Sequence, residues 1–377
     1  MEKKIYILVY GRFPTEKAYG IHAINQAKSF VRLGYKVELL YPQTKNKLTI
    51  NQTPENYYEE KFNFLITKTN NKDITGYNFF QYLPNIFKKF LWIYKSFVWS
   101  KHISKQLEQN SIIWTTNPIV GFRVRKNNKI IFEQHGQARF FQKLFILMLS
   151  LSNSYFVGTT KYSYRRLKKI NQNSIYLPNG VDSSVFFPSM EKRDILNIGY
   201  AGMLETYGVD KGVKDSLKKI IELLDEFKFK VTIIGGPKNK LDDLRNLVSE
   251  SGFESNIELL DRMNQKELAK KVREFDIGIV PYPKNKHMNK FASPLKIFEY
   301  LSSGVICLAS DLDAHKEIKN EGMFYFQNEN FNDFKLQLHH LISNKTDLIL
   351  NQDKLKQNYK IFNLDSRNLK LLEFLRL

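Results

Sequence analysis

Short runs of β-branched and aliphatic residues alternate along the whole chain with longer stretches in which apolar positions recur every three or four residues. The runs predict strands near residues 4–10, 36–41, 112–116, 129–133 and 154–159, and again near 195–201, 230–235, 256–260, 276–281, 305–310 and 323–327. Helical spacing falls between them, at about 20–34, 84–108, 138–152, 160–169, 212–227, 240–251, 265–274, 294–303 and 330–344. Strands separated by helix-length segments cannot pair as hairpins, so the pattern predicts parallel sheets joined by crossover helices, in two doubly wound α/β units. No fixed-period repeat interrupts it, and the one biased tract is an Asn- and Lys-rich loop at 44–56.

The break between the units is expected in Ile175-Tyr-Leu-Pro-Asn-Gly-Val-Asp-Ser-Ser-Val-Phe-Phe-Pro188. Pro178 ends a strand, Asn179-Gly180 supplies a tight turn, Asp182 can bond its own backbone, and Phe186 and Phe187 can pin the segment down. Domains at 1–177 and 178–361 follow. Residues 362–377 have helical period behind an Asp365 or Ser366 start signal and are expected to pack back on the first domain. A length of 377 residues suits two such domains, each with its own core.

Composition narrows the setting. With 42% apolar residues the chain is globular, and its one cysteine, Cys307, lies inside the apolar run Val305-Ile-Cys-Leu-Ala309, where a buried strand residue is expected. No signal-peptide pattern follows Met1, and the longest apolar run, Leu144 to Leu151, is far shorter than the roughly 18 residues of a spanning helix. A cytoplasmic protein is expected, peripheral on the inner face of the membrane if it meets a bilayer. A net charge of +20, from 58 Lys and Arg against 38 acids, calls for an anionic partner. The segment Phe87 to Trp99 offers one route, because Phe87, Phe90, Leu91, Tyr94, Phe97 and Val98 recur at helical spacing among lysines. It reads either as an interfacial helix for an anionic membrane surface or as a domain helix with its aromatics in the core.

In open parallel sheets ligands gather beyond the carboxyl ends of the strands, so the residues after each strand are the place to look. In Lys290-Phe-Ala-Ser-Pro-Leu-Lys-Ile-Phe-Glu-Tyr-Leu-Ser-Ser-Gly304, a helix opened by Ser293 and Pro294 would aim free N–H groups, including that of Leu295, at an anion. Glu299 lies over one turn further on, within reach of a ribose if a nucleotide diphosphate sits at the helix start; otherwise it is a solvated residue on an amphipathic helix. Gly202 and Lys211 follow the first strand of the second domain, where a glycine permits close approach and a lysine gives positive charge. Gly20 before the first helix and His135 after the strand at 129–133 are weaker signals of the same kind.

Other chemistries find no support. Asp311-Leu-Asp313 has no further acids at ligand spacing, and there is no zinc-spaced His and Cys group, no Gly-x-Ser-x-Gly elbow and no P-loop.

Taken together, Leu177-Pro-Asn-Gly-Val-Asp182 with Phe187-Pro188, the loop from Gly202 to Lys211-Gly212, and Ser293-Pro-Leu-Lys-Ile-Phe-Glu-Tyr300 resemble family 4 of the glycosyltransferases across nearly the whole chain. The resemblance implies a GT-B architecture, two Rossmann-like domains facing a cleft, with a UDP- or GDP-linked sugar held mainly by the second domain and a glycan or lipid-linked acceptor by the first. It implies transfer with retention of configuration and without a metal or other cofactor. Lys211 would neutralise the leaving diphosphate, the backbone near Ser293, Pro294 and Leu295 would bind its oxygens, and Glu299 would hold the ribose. His135 would bond a donor-sugar hydroxyl, while Gly20 and Gly202 would shape the loops over the phosphates.

Two positions depart from the family. A second glutamate common eight residues before Glu299 is replaced by Phe291, and a cation common after the glycine at 202 is replaced by Met203, for which Arg262, Lys290 or Arg12 would have to substitute. These departures keep a second reading open, a catalytically silent GT-B protein that binds a glycan or protein. A nucleic-acid-binding or DNA-glycosylating protein rests on charge alone, with no recognised motif behind it, and no nucleic acid partner is expected.

Overall fold

The computed structural model describes residues 4–44, 50–70, 84–191, 193–206 and 208–376, so the Asn- and Lys-rich loop at 44–56 lies partly outside the described residues. The chain divides into two compact units, residues 1–178 with 364–377, and residues 179–363.

The first unit is built on seven parallel strands: β1 (Lys4–Leu8), β2 (Lys36–Pro42), β3 (Leu65–Thr69), β4 (Ile112–Thr115), β5 (Lys129–Gln134), β6 (Ser154–Gly158) and β7 (Ser174–Tyr176), in the order β3-β2-β1-β4-β5-β6-β7. Helices α1 (Ala18–Arg32), α2 (Pro54–Tyr58), α3 (Asn85–Ile103), α4 (Pro118–Val124), α5 (Phe140–Ser150) and α6 (Lys161–Lys168) connect them. The strands bury both faces. Ile5, Ile7 and Val9 enter one apolar cluster with Ile24, Phe30 and Leu371, while Tyr6 and Leu8 enter another with Trp99, Val120 and Leu149. This is why they read as continuous apolar runs rather than alternating ones.

The second unit has six parallel strands in the order β12-β11-β8-β13-β14-β15: β8 (Asn197–Met203), β11 (Lys230–Gly236), β12 (Ile257–Asp261), β13 (Ile277–Val280), β14 (Ile306–Ser310) and β15 (Met323–Phe326). A small antiparallel hairpin, β9 (Glu205–Thr206) and β10 (Val209–Asp210), follows β8. The helices are α7 (Val213–Leu224), α8 (Lys238–Ser249), α9 (Gln265–Val272), α10 (Lys286–Lys290), α11 (Leu295–Ser302), α12 (Asp313–Lys316), α13 (Phe331–Ser343) and α14 (Lys345–Gln357). Cys307 is fully buried in β14, as the apolar run around it predicts. The last helix, α15 (Leu364–Phe374), belongs to the first unit, where it packs on α1.

Every expected strand and helix is present within a few residues at either end. Patterning missed the two-residue strands β9 and β10 and the two edges of the first sheet, β3 and β7; β3 is half exposed and β7 only three residues long, so neither carries a buried apolar run. The missed helices are short or mainly polar, as in α14, where Leu348 and Leu355 are the buried apolar contacts.

Strand order reverses once in each sheet, between β1 and β4 and between β8 and β13. Chains leaving adjacent strands in opposite directions open a crevice there, at the carboxyl ends. The conspicuous polar side chains of each unit lie at or beside these points.

The linker is shaped largely as its sequence suggests. Asp182 Oδ1 accepts hydrogen bonds from Ser184 N at 3.1 Å and Ser184 Oγ at 2.6 Å, and Phe186 is fully buried. Phe187, expected to pin the segment alongside it, stays 40% exposed under the Arg273 guanidinium, 4.3 Å from its ring centroid.

Candidate functional site

In the second unit β8 ends at Gly202 and Met203, the chain makes the β9–β10 hairpin, and Lys211 returns with its N–H donated to Leu204 O at 2.9 Å. Lys211 is only 4% exposed. Its Nζ lies 4.2 Å from the Tyr282 ring centroid and 3.8 Å from Met288 Sδ, and it forms no ion pair with any described carboxylate. Burial lowers its pKa from the usual lysine value to about 8.

Helix α11 begins at Leu295, with Pro294 in the N-cap position and no side-chain cap. This corrects the expectation that Ser293 opens the helix: its hydroxyl accepts from Asn179 N at 3.3 Å and its carbonyl from Asn179 Nδ2 at 2.5 Å. Serine thus ties the linker to the helix start, and the first N–H groups of α11 are left without a capping side chain. Glu299 stands half-buried on the same helix. Burial raises its carboxyl pKa to about 7, with Lys296 pulling the other way.

Phe291 is 3% exposed, a core residue at the end of α10 rather than a side chain held toward a ligand. Of the cations proposed to replace one at Met203, Lys290 sits 3.8 Å from Asp313 and Arg12 is paired with Glu16. The side chain that does approach Gly202 is Lys296, which sequence reasoning passed over although it lies three residues before Glu299, on the same helical face. Asp311 and Asp313 bond Asn328, Asn289, Lys316 and Lys290, a local structural role.

In the first unit, Gly20 falls within the first turn of α1, and a Cβ there would lie 2.5 Å from Thr15 Cγ2 and 2.7 Å from Tyr58 Oη. The missing side chain leaves room there for Thr15 and Tyr58. His135 follows β5 as expected, but it belongs to a larger group. Glu133, fully buried at the end of β5, receives Arg367 from α15 at 2.9 Å, Trp114 Nε1 at 3.2 Å and His22 Nε2 at 2.9 Å, with His135 Nε2 2.8 Å away. Burial holds His22 neutral, with a pKa near 4, while Arg367 and the two histidines keep the Glu133 carboxyl well below the usual range. His22, Glu133 and His135 have the composition of a metal site, and their ligand atoms lie within 4.8 Å of one another. The Arg367 guanidinium already supplies the positive charge there and opposes a second one. His22 was visible in the sequence two residues after Gly20; Arg367, more than 200 residues away from Glu133, was not.

Two all-parallel sheets of seven and six strands, each with helical crossovers, define a GT-B fold. The chain matches solved GT-B structures over their whole lengths: a glycosyltransferase from Rickettsia africae (15% identity, TM-score 0.72, covering 100% of this chain and 98% of that one), a sucrose-phosphate synthase from Thermosynechococcus elongatus (12%, 0.69, 100% and 98%) and the Anabaena protein HepE, crystallised with UDP and glucose (11%, 0.67, 100% of both). Residues 196–344 match the family described as Glycosyl transferases group 1, a span that holds the Lys211 loop and the Glu299 segment from which the resemblance was read; the linker lies before it. No curated relative matches the chain by sequence.

Proposed function

We propose that the protein is a retaining, metal-independent glycosyltransferase that takes a sugar from a UDP- or GDP-linked donor held by residues 179–363 and delivers it to a lipid-linked or cell-surface glycan held by the first unit. The observation that carries this reading is Lys211, a lysine 4% exposed and without a carboxylate partner, at the carboxyl end of β8 in the segment that matches the glycosyl transferases. A fixed cation facing a departing diphosphate stabilises charge that develops as the glycosidic bond breaks. The free N–H groups of Leu295 and Lys296 would share the phosphate oxygens, Gly202 would let the donor approach β8, and Glu299 as a carboxylate would accept the ribose hydroxyls. His135, with Nε2 turned to Glu133, would present Nδ1 to a donor-sugar hydroxyl. Donor screening by chromatography tests this: one nucleotide sugar should be hydrolysed slowly without acceptor, and Lys211→Ala and Glu299→Ala should each abolish that hydrolysis while the protein stays folded. Turnover near the unaltered level in both would sink the assignment.

The acceptor class rests on an apolar surface of the first unit. Phe87, Phe90, Tyr94 and Val98 of α3 are 40–60% exposed, and Phe140, Leu144, Leu147 and Leu151 of α5 and its end are 48–84% exposed. Phe90 and Phe141 meet edge to face at 5.5 Å, joining the two helices, while Trp99 turns the opposite way and donates to Thr69 Oγ1 at 2.7 Å. Among the described residues no helix is long and apolar enough to cross a membrane. On a chain of charge +20, such a face suits the headgroup boundary of an anionic bilayer, where lipid-linked acceptors reside. Co-sedimentation with phosphatidylglycerol vesicles should be lost on Phe140→Asp with Leu144→Asp; no binding of the unaltered protein at moderate salt would remove the membrane part alone.

A further inference from the structure

The second unit buries two ammonium groups close together and gives neither a carboxylate in contact, the Glu299 carboxyl on the same helix acting on Lys296 only at longer range. Lys296, 8% exposed, points from α11 with its Nζ 3.6 Å from the Tyr200 ring centroid and 5.2 Å from that of Tyr282, the ring that Lys211 approaches from 4.2 Å. Neither lysine has an ion pair among the described residues. Nearby, the fully buried His315 is held through Nδ1 to Ser310 O at 2.9 Å, and its Nε2 has no hydrogen-bond partner. Aromatic faces compensate a buried cation only in part, and two like charges in one enclosed place oppose each other.

The location tells what the pair is for. A Cβ on Gly202 would lie 3.0 Å from Lys296 Nζ, so this ammonium occupies the space over the end of β8. Lys296 also stands in the first turn of α11, whose leading N–H groups are not capped by a side chain. Two cations and a helix N-terminus around a glycine make a site for an anion of more than one charge.

We infer that Lys296 and Lys211 form a two-cation clamp for the donor's diphosphate, with Lys296 supplying from α11 the charge that Met203 cannot supply from β8. This rests on the donor-site reading above and deepens it. It also explains how a chain without a cation at 203 neutralises two phosphates. Burial holds both lysines below the usual range, with the charge of Lys211 adding to the effect at Lys296 and the Glu299 carboxyl opposing it. A bound diphosphate reverses that shift and draws protons into the site.

The test is calorimetric titration of UDP, GDP, uridine and guanosine into the unaltered chain, Lys296→Met and Lys211→Met, each run in two buffers of different ionisation enthalpy. Lys296→Met should weaken the preferred diphosphate by about 10- to 100-fold, leave its nucleoside unchanged and reduce the proton uptake on binding. Its melting temperature without ligand should hold or rise, because an uncompensated buried charge has been removed. Undiminished diphosphate affinity in Lys296→Met, beside a loss in Lys211→Met, overturns the role of Lys296 and leaves the donor site standing. Equal losses for diphosphate and nucleoside together with a lower melting temperature make Lys296 a structural residue and also overturn it. If the unaltered chain binds neither UDP nor GDP, the donor-site reading fails and the clamp with it.

Discussion

Each unit buries charge beside the switch point of its sheet, and the two do so in opposite ways. In the first, Glu133 is fully enclosed but accepts from Arg367, Trp114 and His22, with the His135 ring nitrogen 2.8 Å away. In the second, Lys211 and Lys296 are enclosed with aromatic rings and a thioether for company. A satisfied network fixes side-chain positions before any ligand arrives, whereas an unsatisfied one stores a demand that a ligand meets. The first arrangement suits the orienting of His135; the second suits the capture of an anion. Buried charge alone therefore does not point to a ligand site; what sets the second unit apart, and prompts the proposal for it, is buried charge without an ion-pair partner among the described residues.

The sharpest way to break this comparison is to remove the counter-ion that the first unit has. Arg367→Ala leaves the Glu133 carboxylate buried without its cation and should cost about 3–5 kcal/mol in denaturant unfolding. Glu133→Gln added to Arg367→Met should recover most of that loss, because an uncharged pair carries no desolvation penalty. In the second unit the loss should be absent, since Lys296→Met removes a buried charge and should hold or raise stability. A loss below about 1 kcal/mol for Arg367→Ala would show that the two regions do not differ in kind.

The next effect lies in binding. Lys211 with a pKa near 8 must be protonated to hold a diphosphate, so affinity should fall above pH 8, by about tenfold per unit at first. Glu299, raised to about 7, must be ionised to accept ribose hydroxyls, so affinity should also fall below pH 7. UDP or GDP dissociation constants measured from pH 5.5 to 9.5 should pass through an optimum between those limbs. Lys211→Met should remove its share of the upper limb, leaving the share of Lys296, and Glu299→Gln should erase the lower. A profile without limbs in the unaltered protein would deny both groups contact with the nucleotide.

Much of this was legible in the chain. Buried strands announced themselves as apolar runs, and the segments that carry Lys211 and Glu299 stood out because proline, glycine and charge coincide at helix starts. What was not legible has two physical causes. The edge strands β3 and β7 bury too little to leave a pattern, and long-range pairs such as Arg367 with Glu133 depend on α15 returning to the first unit, which no local spacing encodes. Lys296 was hidden differently. A lysine on an amphipathic helix is expected in water, and only the enclosing rings of Tyr200 and Tyr282 reveal that this one is not.

Acid acts on the two units by at most about 1.4 kcal/mol per pH unit for each group. His22 binds protons less well folded than unfolded between pH 6.5 and about 4, so the first unit loses stability as pH falls through that window, and the depressed Glu133 extends the loss below 4.5. In the second unit Glu299 binds protons better folded between 4.5 and about 7, while the buried His315 binds them less well folded between 6.5 and about 4, so the gain from one offsets the loss from the other as pH falls. Hydrogen exchange corrected for intrinsic rates should show protection in β1 and β5 declining from pH 7 to 5.5 while that in β8 and α11 holds. Glu299→Gln should remove the offset and make the second unit decline as well.

The smallest effect is also the most selective. Gly202 has φ +140°, and an added Cβ would press on Lys296 Nζ at 3.0 Å, the movable end of a flexible side chain. Gly202→Ala should therefore shift the ammonium more than the fold and weaken diphosphate binding about threefold, a coupling of the size seen between residues in contact. The backbone strain of alanine at this φ is a separate cost, and the two are told apart by combining substitutions. In a Lys296→Met background there is no ammonium to displace, so Gly202→Ala should add nothing to the loss of diphosphate affinity. An equal further loss there would mean that the glycine serves the ligand's own approach to β8, and that Lys296 stands beside the diphosphate without depending on the space that Gly202 leaves open.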